Sequence, residues 1–442
     1  MEAATATLAP AAPLAATSGE EMHALVRRLY PICRSITGDG VRQTLHILRE
    51  FLPALQVHEV PTGTAVLDWH VPREWNIRDA WIKNRRGERV VDFRQHNLHV
   101  LGYSMPVRGW YTRAELLAHL YSLPEQPTLI PYRTAYYAET WGFCLRHEQL
   151  LALTEPGYEV CIDSSLTEGA LTYGELLLPG ELTREVLISC HICHPSLAND
   201  NLSAVAVATQ LALHLQQQPR HYSYRFVFAP GTIGAITWLS RNPEAVARIQ
   251  HGLVLSLLGM PGVFTYKKSR RENTEVDRAV AMVLRDAAVP HSLVDFVPYG
   301  YDERQYCSPG FNLPVGCLSR TPYAQFPEYH TSADDLALVQ AGALADSLRM
   351  TEQVLAVLDT NGRYLNLSPF GEPELGRRGL YGTVGGTPTP PDWQLTLLWV
   401  LNLSDGQHSL LDIAERAKLP FEQVRRAAEL LTTHQLLMPL PE

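Results

Sequence analysis

The residues best suited to chemistry lie directly after a short apolar run. His191, His194 and Asp200 fall within ten positions of one another, immediately beyond residues 186–189. Imidazole nitrogens and carboxylate oxygens are the ligands that zinc and related ions take from proteins. Open α/β sheets place their ligands at the carboxyl ends of strands, so we expect these side chains to lie at such an end.

Two later segments carry side chains that could complete a site. The first contains Asp302, Glu303 and Arg304, and the second contains Tyr329 and His330. A hydrolytic metal site needs histidine and carboxylate ligands, an open coordination position and a group that moves protons. A single histidine is more often structural than a ligand. Two histidines and an aspartate around one turn favour a metal site.

Strands alternate with helices from about residue 158 onward. This pattern predicts an α/β fold with a mostly parallel sheet flanked by helices on both faces. The predicted strands are 186–189, 224–228, 252–258 and 313–318. The predicted helices are 202–217, 278–288 and 341–358, and a further helix is predicted to start at 233–240.

Changes in composition divide the chain into segments. The Ala-, Thr- and Pro-rich residues 1–19 are predicted to form a disordered tail, and the short alternating runs of residues 57–131 an inserted β-rich domain. The main α/β domain is then made of residues 20–56 and 132–362. Residues 363–392 are rich in Gly and Pro and are predicted to be a linker.

Residues 393–442 are predicted to form a winged-helix-like domain. Three short helices, at 394–403, 409–417 and 420–431, would form it. The last helix mixes Arg425 and Arg426 with Glu422 and Glu429, which is a weak basic face for a DNA-reading helix. This pattern argues against DNA as a ligand and favours a protein partner that docks through this domain.

Composition narrows the class further. The net charge of −9 argues against a general nucleic-acid-binding surface. Seven cysteines without scaffold spacing indicate reduced thiols and a cytoplasmic location. No stretch approaches the ~20 apolar residues that cross a bilayer, so no association with a membrane is expected.

Longer motifs make the chain resemble a known superfamily. Ser189–Ala206 and Glu328–Asp335 are similar to segments of the aminopeptidase-like zinc exopeptidases, in which a strand ending in His leads to an Ala-Asn-Asp loop and a late Tyr-His-Thr follows. The match is closer to a bacterial subfamily with an inserted β-module and a C-terminal winged-helix-like domain. Its motifs correspond to residues 30–38, 75–80, 193–201 and 302–310.

The resemblance implies a zinc site with assigned ligands. Asp200 matches the carboxylate that bridges metals, and His330 matches the late histidine ligand. His191 lies where the strand-end histidine falls and His194 lies in a Cys-His-Pro motif, so one or both would bind metal. One metal or two remains open.

The 302–304 loop and Tyr329 resemble the border of the active-site cleft. Asp302, Arg304 and Tyr329 are therefore predicted to hold substrate. Asp302 and Glu303 could also serve as ligands.

The chain departs from the family pattern at Gly231. The subfamily resemblance implies a Glu at this position, acting as general base, and the wider superfamily carries paired acids there. Gly231 and Thr232 can supply neither a base nor a ligand, and a further acid expected near residues 256–259 is also absent. Loss of a positioned base typically lowers a rate by ~10²–10⁴-fold. Alternatively, Glu303 takes over the base role.

Two functions follow, from different classes. The first is zinc-dependent hydrolysis of a peptide or amide bond, aminopeptidase-like, in a biosynthetic pathway and impaired by Gly231. The second is a non-catalytic protein that binds metal or ligand through the cleft or the C-terminal domain. Transcriptional regulation is a third option that predicts salt-dependent duplex binding. A homo-oligomer is compatible with each.

Overall fold

The structure, a computed structural model, describes residues 14–380 and 392–441. The helices are α1 (Leu14–Leu29), α2 (Asp39–Phe51), α3 (Arg113–Leu117), α4 (His147–Ala152), α5 (Ala204–Gln216), α6 (Ile233–Arg241), α7 (Pro243–Arg248), α8 (Glu275–Asp286), α9 (Glu303–Tyr306), α10 (Ala341–Thr360), α11 (Trp393–Leu403), α12 (Leu410–Ala417) and α13 (Phe421–Thr433).

The strands are β1 (Gln56–Pro61), β2 (Ala65–Val66), β3 (Trp69–His70), β4 (Glu74–Lys83), β5 (Arg89–Asp92), β6 (Val107–Thr112), β7 (Leu120–Tyr121), β8 (Phe143–Cys144), β9 (Gly157–Thr167), β10 (Ala170–Leu178), β11 (Glu185–His191), β12 (Ser223–Ala229), β13 (Ile249–Leu255), β14 (Phe264–Lys267), β15 (His291–Val294), β16 (Val315–Arg320), β17 (Arg363–Asn366), β18 (Asp405–Ser409) and β19 (Leu437–Pro439).

An eight-stranded sheet forms the centre of the molecule, in the order β1-β10-β12-β11-β13-β16-β14-β15. Its four middle strands, β12, β11, β13 and β16, run parallel to one another. β10 and β14 are antiparallel to these neighbours. Parallel strands are joined by helices that cover both faces, which places the carboxyl ends of β11, β12 and β13 along one edge. The predicted α/β fold with a mostly parallel sheet is confirmed.

Both faces of the middle strands are buried because their side chains alternate between two apolar cores. Ile188 and Phe226 pack in one core with α1, α5, α8 and α10. Their neighbours Leu187 and Val227 point to the other face, where α6 and a second sheet, β5-β4-β9-β6, cover them; this second sheet is called the small sheet below. Strands buried on both faces read as continuous apolar runs, which is how residues 186–189 appear in the sequence.

A second sheet, in the order β5-β4-β9-β6, makes up most of the β-rich insert. The predicted boundaries of 57–131 need correction at both ends. β1 pairs with β10 at the edge of the central sheet, and β9, beyond residue 131, pairs with β4 along its whole length. A ten-residue strand such as β4 needs a long partner to satisfy its backbone, and β9 is the strand that supplies it.

The C-terminal unit combines α11, α12 and α13 with a three-stranded sheet of order β18-β17-β19. The predicted linker 363–392 is therefore wrong at its start, because residues 363–366 form the central strand of this sheet. Residues 381–391 of that segment lie outside the described residues. The unit contacts the main domain through Arg278 of α8, which forms ion pairs with Asp412 and Glu415 of α12.

The N-terminal boundary also moves. The predicted tail 1–19 overlaps α1, which begins at Leu14, while residues 1–13 lie outside the described part. Met22, Leu25 and Val26 of α1 are buried, and α1 packs along α10. Once this apolar stripe is anchored, the preceding alanines extend the helix because alanine has the highest helix propensity. None of the described helices is long and apolar enough to cross a membrane.

Candidate metal centre

Four of the predicted ligands converge at the carboxyl edge of the central sheet. His191 is the last residue of β11, and His194 follows it in the next loop. Asp200 lies in the helical segment Ala198–Ser203 that leads into α5, and His330 belongs to the loop before α10. These four residues are referred to below as the His–Asp cluster.

The Asp200 carboxylate lies at the middle of the cluster and is completely buried. Its Oδ1 is 2.9 Å from Nε2 of His191, and its Oδ2 is 3.0 Å from Nε2 of His330. Burial would raise the pKa of the Asp200 carboxyl, but the three histidines outweigh burial and hold this pKa well below its usual range. Asp200 is therefore a carboxylate that offers both oxygens.

His194 provides a free nitrogen on the same side. Its Nδ1 is 3.9 Å from Oδ1 of Asp200 and is buried without a hydrogen-bond partner among the described residues. Burial lowers the pKa of His194 to about 3, so its imidazole is neutral at physiological pH. Arg34 fixes the backbone here by donating from Nε to the His194 carbonyl oxygen at 2.9 Å.

The donor set fits one bound cation. Ligand atoms of His191, His194 and Asp200 all lie within 4.8 Å of one another. Neutral imidazole nitrogens and a carboxylate oxygen are the ligands of catalytic zinc, and an unpartnered buried nitrogen such as Nδ1 of His194 calls for an additional partner. A second cation finds fewer ligands, because Gly231, Thr232 and the apolar residues 257–258 supply no acid.

Buried polar side chains hold the loop that carries Asp200. The Asp334 carboxylate accepts hydrogen bonds from the backbone N–H groups of Asn199 at 2.5 Å and Asp200 at 2.9 Å. The Asn201 amide donates to the Leu255 carbonyl oxygen at 3.2 Å and lies 3.2 Å from Nδ1 of His191. Sequence reasoning missed these roles, although the Asn-Asp-Asn run and the Asp pair after His330 were visible signals.

Tyrosine rings cover the histidines of the cluster. Tyr301 stacks on His191 with ring centroids 5.2 Å apart, and Tyr329 stacks on His330 at 3.9 Å. The edge of Tyr132 meets the rings of both His194 and His330 at 5.0 Å. The predicted substrate contact Tyr329 thus borders the cluster directly, whereas Tyr301 and Tyr132 were not predicted.

The position of the expected base lies beside the cluster and carries no acid. The Gly231 N–H donates to Sγ of Cys193 at 3.3 Å. The next N–H, that of Thr232, donates to Oδ1 of Asp302 at 2.7 Å, and NH2 of Arg304 donates to Oγ1 of Thr232 at 3.3 Å. Two of the predicted substrate contacts, Asp302 and Arg304, therefore lie next to residue 231. Burial raises the pKa of Asp302 to about 6.

Glu303, the alternative base, has a different partner. Its carboxylate forms a buried ion pair with Lys267 of β14, and its Oε2 has no hydrogen-bond partner among the described residues. The base role of Glu303 stays a prediction. The described contacts place Asp302, rather than Glu303, against the segment in which the acid is missing.

The fold and the cluster define an aminopeptidase-like α/β protein. Among solved structures, a zinc aminopeptidase from Bacillus subtilis superposes with a TM-score of 0.58 at 11% identity, over 77% of this chain and 94% of that one. An M28 peptidase precursor from Shewanella amazonensis gives a TM-score of 0.55 at 14% identity, over 85% of this chain and 97% of that one. Both similarities show the fold alone, which is the fold that the sequence motifs predicted.

The chain belongs to the family described as "Domain of unknown function (DUF4910)", whose profile matches residues 23–361. Residues 362–439 match a profile described as winged helix-turn-helix, so the predicted C-terminal fold is confirmed.

Two comparisons with proteins of Clostridium acetobutylicum cover almost the full length. One is with a protein provisionally named as a polysaccharide biosynthesis protein with an aminopeptidase-like domain, which is 47% identical over 420 residues, 95% of this chain and 96% of the relative. The other is with a crystal structure of a protein provisionally named as a peptidase. It has a TM-score of 0.92 at 45% identity, over 96% of this chain and 97% of that one.

Proposed function

We propose that this protein is a zinc-dependent hydrolase of an amide or peptide bond whose turnover is limited by Gly231. The observation that supports this most directly is the buried Asp200 carboxylate, which offers one oxygen to His191 and the other to His330. The aminopeptidase-like fold suggests the class of reaction, since a zinc aminopeptidase is among the solved structures that share this fold.

The proposed roles follow from the contacts. Asp200, His330, His191 and His194 would hold the metal. When bound, zinc supplies Lewis acidity that polarises a carbonyl group and activates water near neutral pH. The rings of Tyr301 and Tyr329 stack on His191 and His330 and would shield part of each ligand ring from water.

Substrate contacts are proposed at the border of the cluster. Arg304 and Tyr329 would orient the substrate, with Asp302 beside them. Residue 231 has no side chain to accept a proton from water, and this is why we expect a rate ~10²–10⁴-fold below that of a form with Glu there.

A second candidate function is supported by the same glycine. A protein that keeps a buried ligand set and lacks a base can bind a metal or a ligand without turning it over. In that case the C-terminal unit, joined to α8 through Arg278, would be the site at which a protein partner docks.

The biological setting is a proposal drawn from the relatives. The Clostridium acetobutylicum relative is provisionally named for polysaccharide biosynthesis, which favours a specialised amide in a biosynthetic pathway over general peptides. A cytoplasmic location agrees with the seven cysteines, all of which are free thiols.

Metal analysis and one substitution test the proposal. Purified protein dialysed against limiting zinc should retain zinc in a stoichiometric amount, and the Asp200→Asn variant should not. Gly231→Glu should then raise the hydrolysis of a panel of aminoacyl p-nitroanilides and N-acetylated amines, with Gly231→Gln as the matched variant that lacks a base.

Each outcome decides between the candidates. The hydrolase is supported if the protein retains zinc and if hydrolysis is faster in Gly231→Glu but not in Gly231→Gln. Zinc retention without any rise favours the non-catalytic protein. Absence of zinc from the wild-type chain overturns the metallohydrolase proposal.

A further inference from the structure

A cavity of about 490 Å³ lies beside the His–Asp cluster, against β14, β15 and β16. Tyr301 and Tyr323 form part of its wall. Because the Tyr301 ring also stacks on His191, the cavity and the cluster both border this one ring. Sites for small molecules typically occupy ~300–1,000 Å³. A substrate whose reacting bond lies at the cluster can therefore place a neighbouring group in the cavity.

The charged side chains of the cavity are already neutralised by one another. Lys267 forms an ion pair with Glu303, and its Nζ also donates to the carbonyl oxygens of Val297 at 3.2 Å and Tyr299 at 2.8 Å. An ammonium group has three donors, so these contacts use them all. The remaining acid of the wall, Asp295, pairs with Lys268 at 2.7 Å. A charged ligand would find no unpaired opposite charge here.

The neutral polar side chains of the wall, in contrast, have unused hydrogen-bonding capacity. Among the described residues, the side chains of Ser292, Thr321 and Gln325 make no hydrogen bond. The Ser319 hydroxyl makes only a long contact of 3.4 Å with the carbonyl oxygen of Thr265. A wholly apolar group that filled this cavity would remove water from these side chains without replacing its hydrogen bonds, which costs affinity.

Aromatic rings complete the wall. Tyr301 and Tyr323 meet nearly at right angles, with an interplanar angle of 89° and centroids 5.6 Å apart. A corner made of two ring faces offers apolar area to the C–H surface of a saturated ring, while the hydroxyl and amide side chains reach the ring's polar edge. The wall also contains the aliphatic side chains of Val263, Val294, Val297 and Pro322. The cavity therefore combines ring faces and aliphatic area with neutral donors and acceptors.

We propose that this cavity binds a neutral, polyhydroxylated ring of the sugar type, and that the substrate carries its amide as an N-acyl group on that ring. The position of the amide rests on the proposed hydrolase function, whereas ring binding does not. In the reaction, water cleaves the C–N bond, its oxygen joins the acyl carbon to give a carboxylic acid, and its protons leave with the ring amine and the acid.

Ligand-observed NMR tests the binding without requiring turnover. Saturation-transfer difference spectra of the full chain are recorded with N-acetylglucosamine, and separately with L-leucinamide as the probe for a peptide-type pocket. The variants Thr321→Val and Tyr323→Ala remove a wall hydroxyl and a ring face. Thr167→Val at the end of β9, on the small sheet, is the matched control, and circular dichroism confirms that each variant is folded.

The expected result is saturation transfer to the sugar ring that falls at least threefold in Thr321→Val and Tyr323→Ala and is unchanged in Thr167→Val. Three results overturn the proposal: no transfer to the sugar, transfer to L-leucinamide only, or a sugar signal that the wall variants leave unchanged. Sugar binding in a chain that holds no zinc would preserve the cavity assignment while the hydrolase function fails. Zinc-dependent amide hydrolysis without sugar binding would preserve the hydrolase function while the cavity assignment fails.

Discussion

His330 Nε2 lies 3.0 Å from Oδ2 of Asp200, although 130 residues separate the two side chains in the chain. This contact joins the loop before α10 to the loop after β11. The contact depends on the folded sheet, because only the sheet brings these two loops to the same edge.

Loss of the central carboxylate should weaken metal binding strongly. Asp200→Asn keeps the shape of the side chain but removes the charge that faces three histidines. Even substitutions of groups that only orient ligands cost 10–100-fold in metal affinity, so we expect a loss of at least ~10²-fold here. Competition with a chromophoric chelator measures it. Asp163→Asn, on the small sheet, should bind zinc as the wild type does, and equal affinity in Asp200→Asn would refute the ligand assignment.

The backbone at position 231 does not require glycine, because a residue with a side chain could adopt the same conformation. Its φ is not positive, and a Cβ added there would lie at ordinary distances of 3.5 Å from Sγ of Cys193 and 3.6 Å from Cβ of His191. Gly→Ala at a compatible position stabilises by ~0.4–1 kcal/mol, through the lower entropy of the unfolded chain. We therefore expect Gly231→Ala to change the free energy of unfolding by no more than about 1 kcal/mol in urea titrations.

Gly38 is the matched control for that measurement. Its φ is 95°, and a Cβ there would collide with the backbone of Trp75. Gly38→Ala should be clearly destabilising while Gly231→Ala is not. If both lose stability alike, the space beside residue 231 is smaller than the contacts indicate.

Sequence reasoning reached the ligands more easily than it reached their supports. His191 and Asp200 are close in the chain and follow an apolar run, so their placement at a strand end could be predicted. Asp334 and Tyr301 act on the Asp200 loop and the His191 ring from more than 100 residues away, and no local pattern encodes such a contact.

The same limit applies to the fold. The buried parallel strands can be predicted because they are apolar runs in the sequence, and β11 begins and ends within a few residues of its prediction. The alternating pattern of a half-exposed strand does not show which other strand pairs with it. For this reason the sequence predicts β1 in the insert, although it lies in the central sheet, and predicts β9 outside the insert, although it pairs with β4 of the insert.

Glu303→Gln should cost stability before it affects chemistry. Glu303 is 1% exposed and is the ion-pair partner of Lys267, so the substitution leaves a buried ammonium without its counter-charge. Breaking one side of a buried pair costs ~3–5 kcal/mol. Urea unfolding of Glu303→Gln, Lys267→Met and the double variant measures this. The double variant should lose less than the sum of the single losses. An unchanged unfolding free energy with abolished hydrolysis would instead support Glu303 as the base.

The Glu74 carboxylate should give a stability contribution that depends on pH. It accepts hydrogen bonds from NH1 and NH2 of Arg42 at 2.8 and 2.6 Å, and these, with the Ala170 N–H and the Asn76 amide, hold its pKa at about 2. An unfolded Glu has a pKa of ~4.3. Because the folded pKa is the lower one, the contribution is complete above the unfolded value and disappears as the pH falls towards 2.

Glu74→Gln should therefore lose about 1–2 kcal/mol at pH 7, a figure reduced for the partial solvent exposure of the pair. Urea titrations at pH 7, 4 and 3 should show the gap between wild type and variant shrinking with acidity. A gap that stays constant over this range would show that Glu74 acts through its shape rather than its charge.

The C-terminal unit should not bind duplex DNA in the manner of a helix-turn-helix reader. Such proteins contact base edges with the N-terminal residues of the second helix. Here that end of α13 faces the main domain, because the Phe421 N–H donates to Oδ2 of Asp286 at 2.9 Å. The two cations of α13, Arg425 and Arg426, are also paired, both with Glu422. Fluorescence anisotropy with a labelled mixed-sequence duplex at low salt should show no binding, and Arg425→Ala should leave that result unchanged.

Salt-dependent binding that Arg425→Ala removes would contradict this prediction and would mean that the unit separates from α8. Asp286→Ala, which frees the start of α13, should then strengthen that binding.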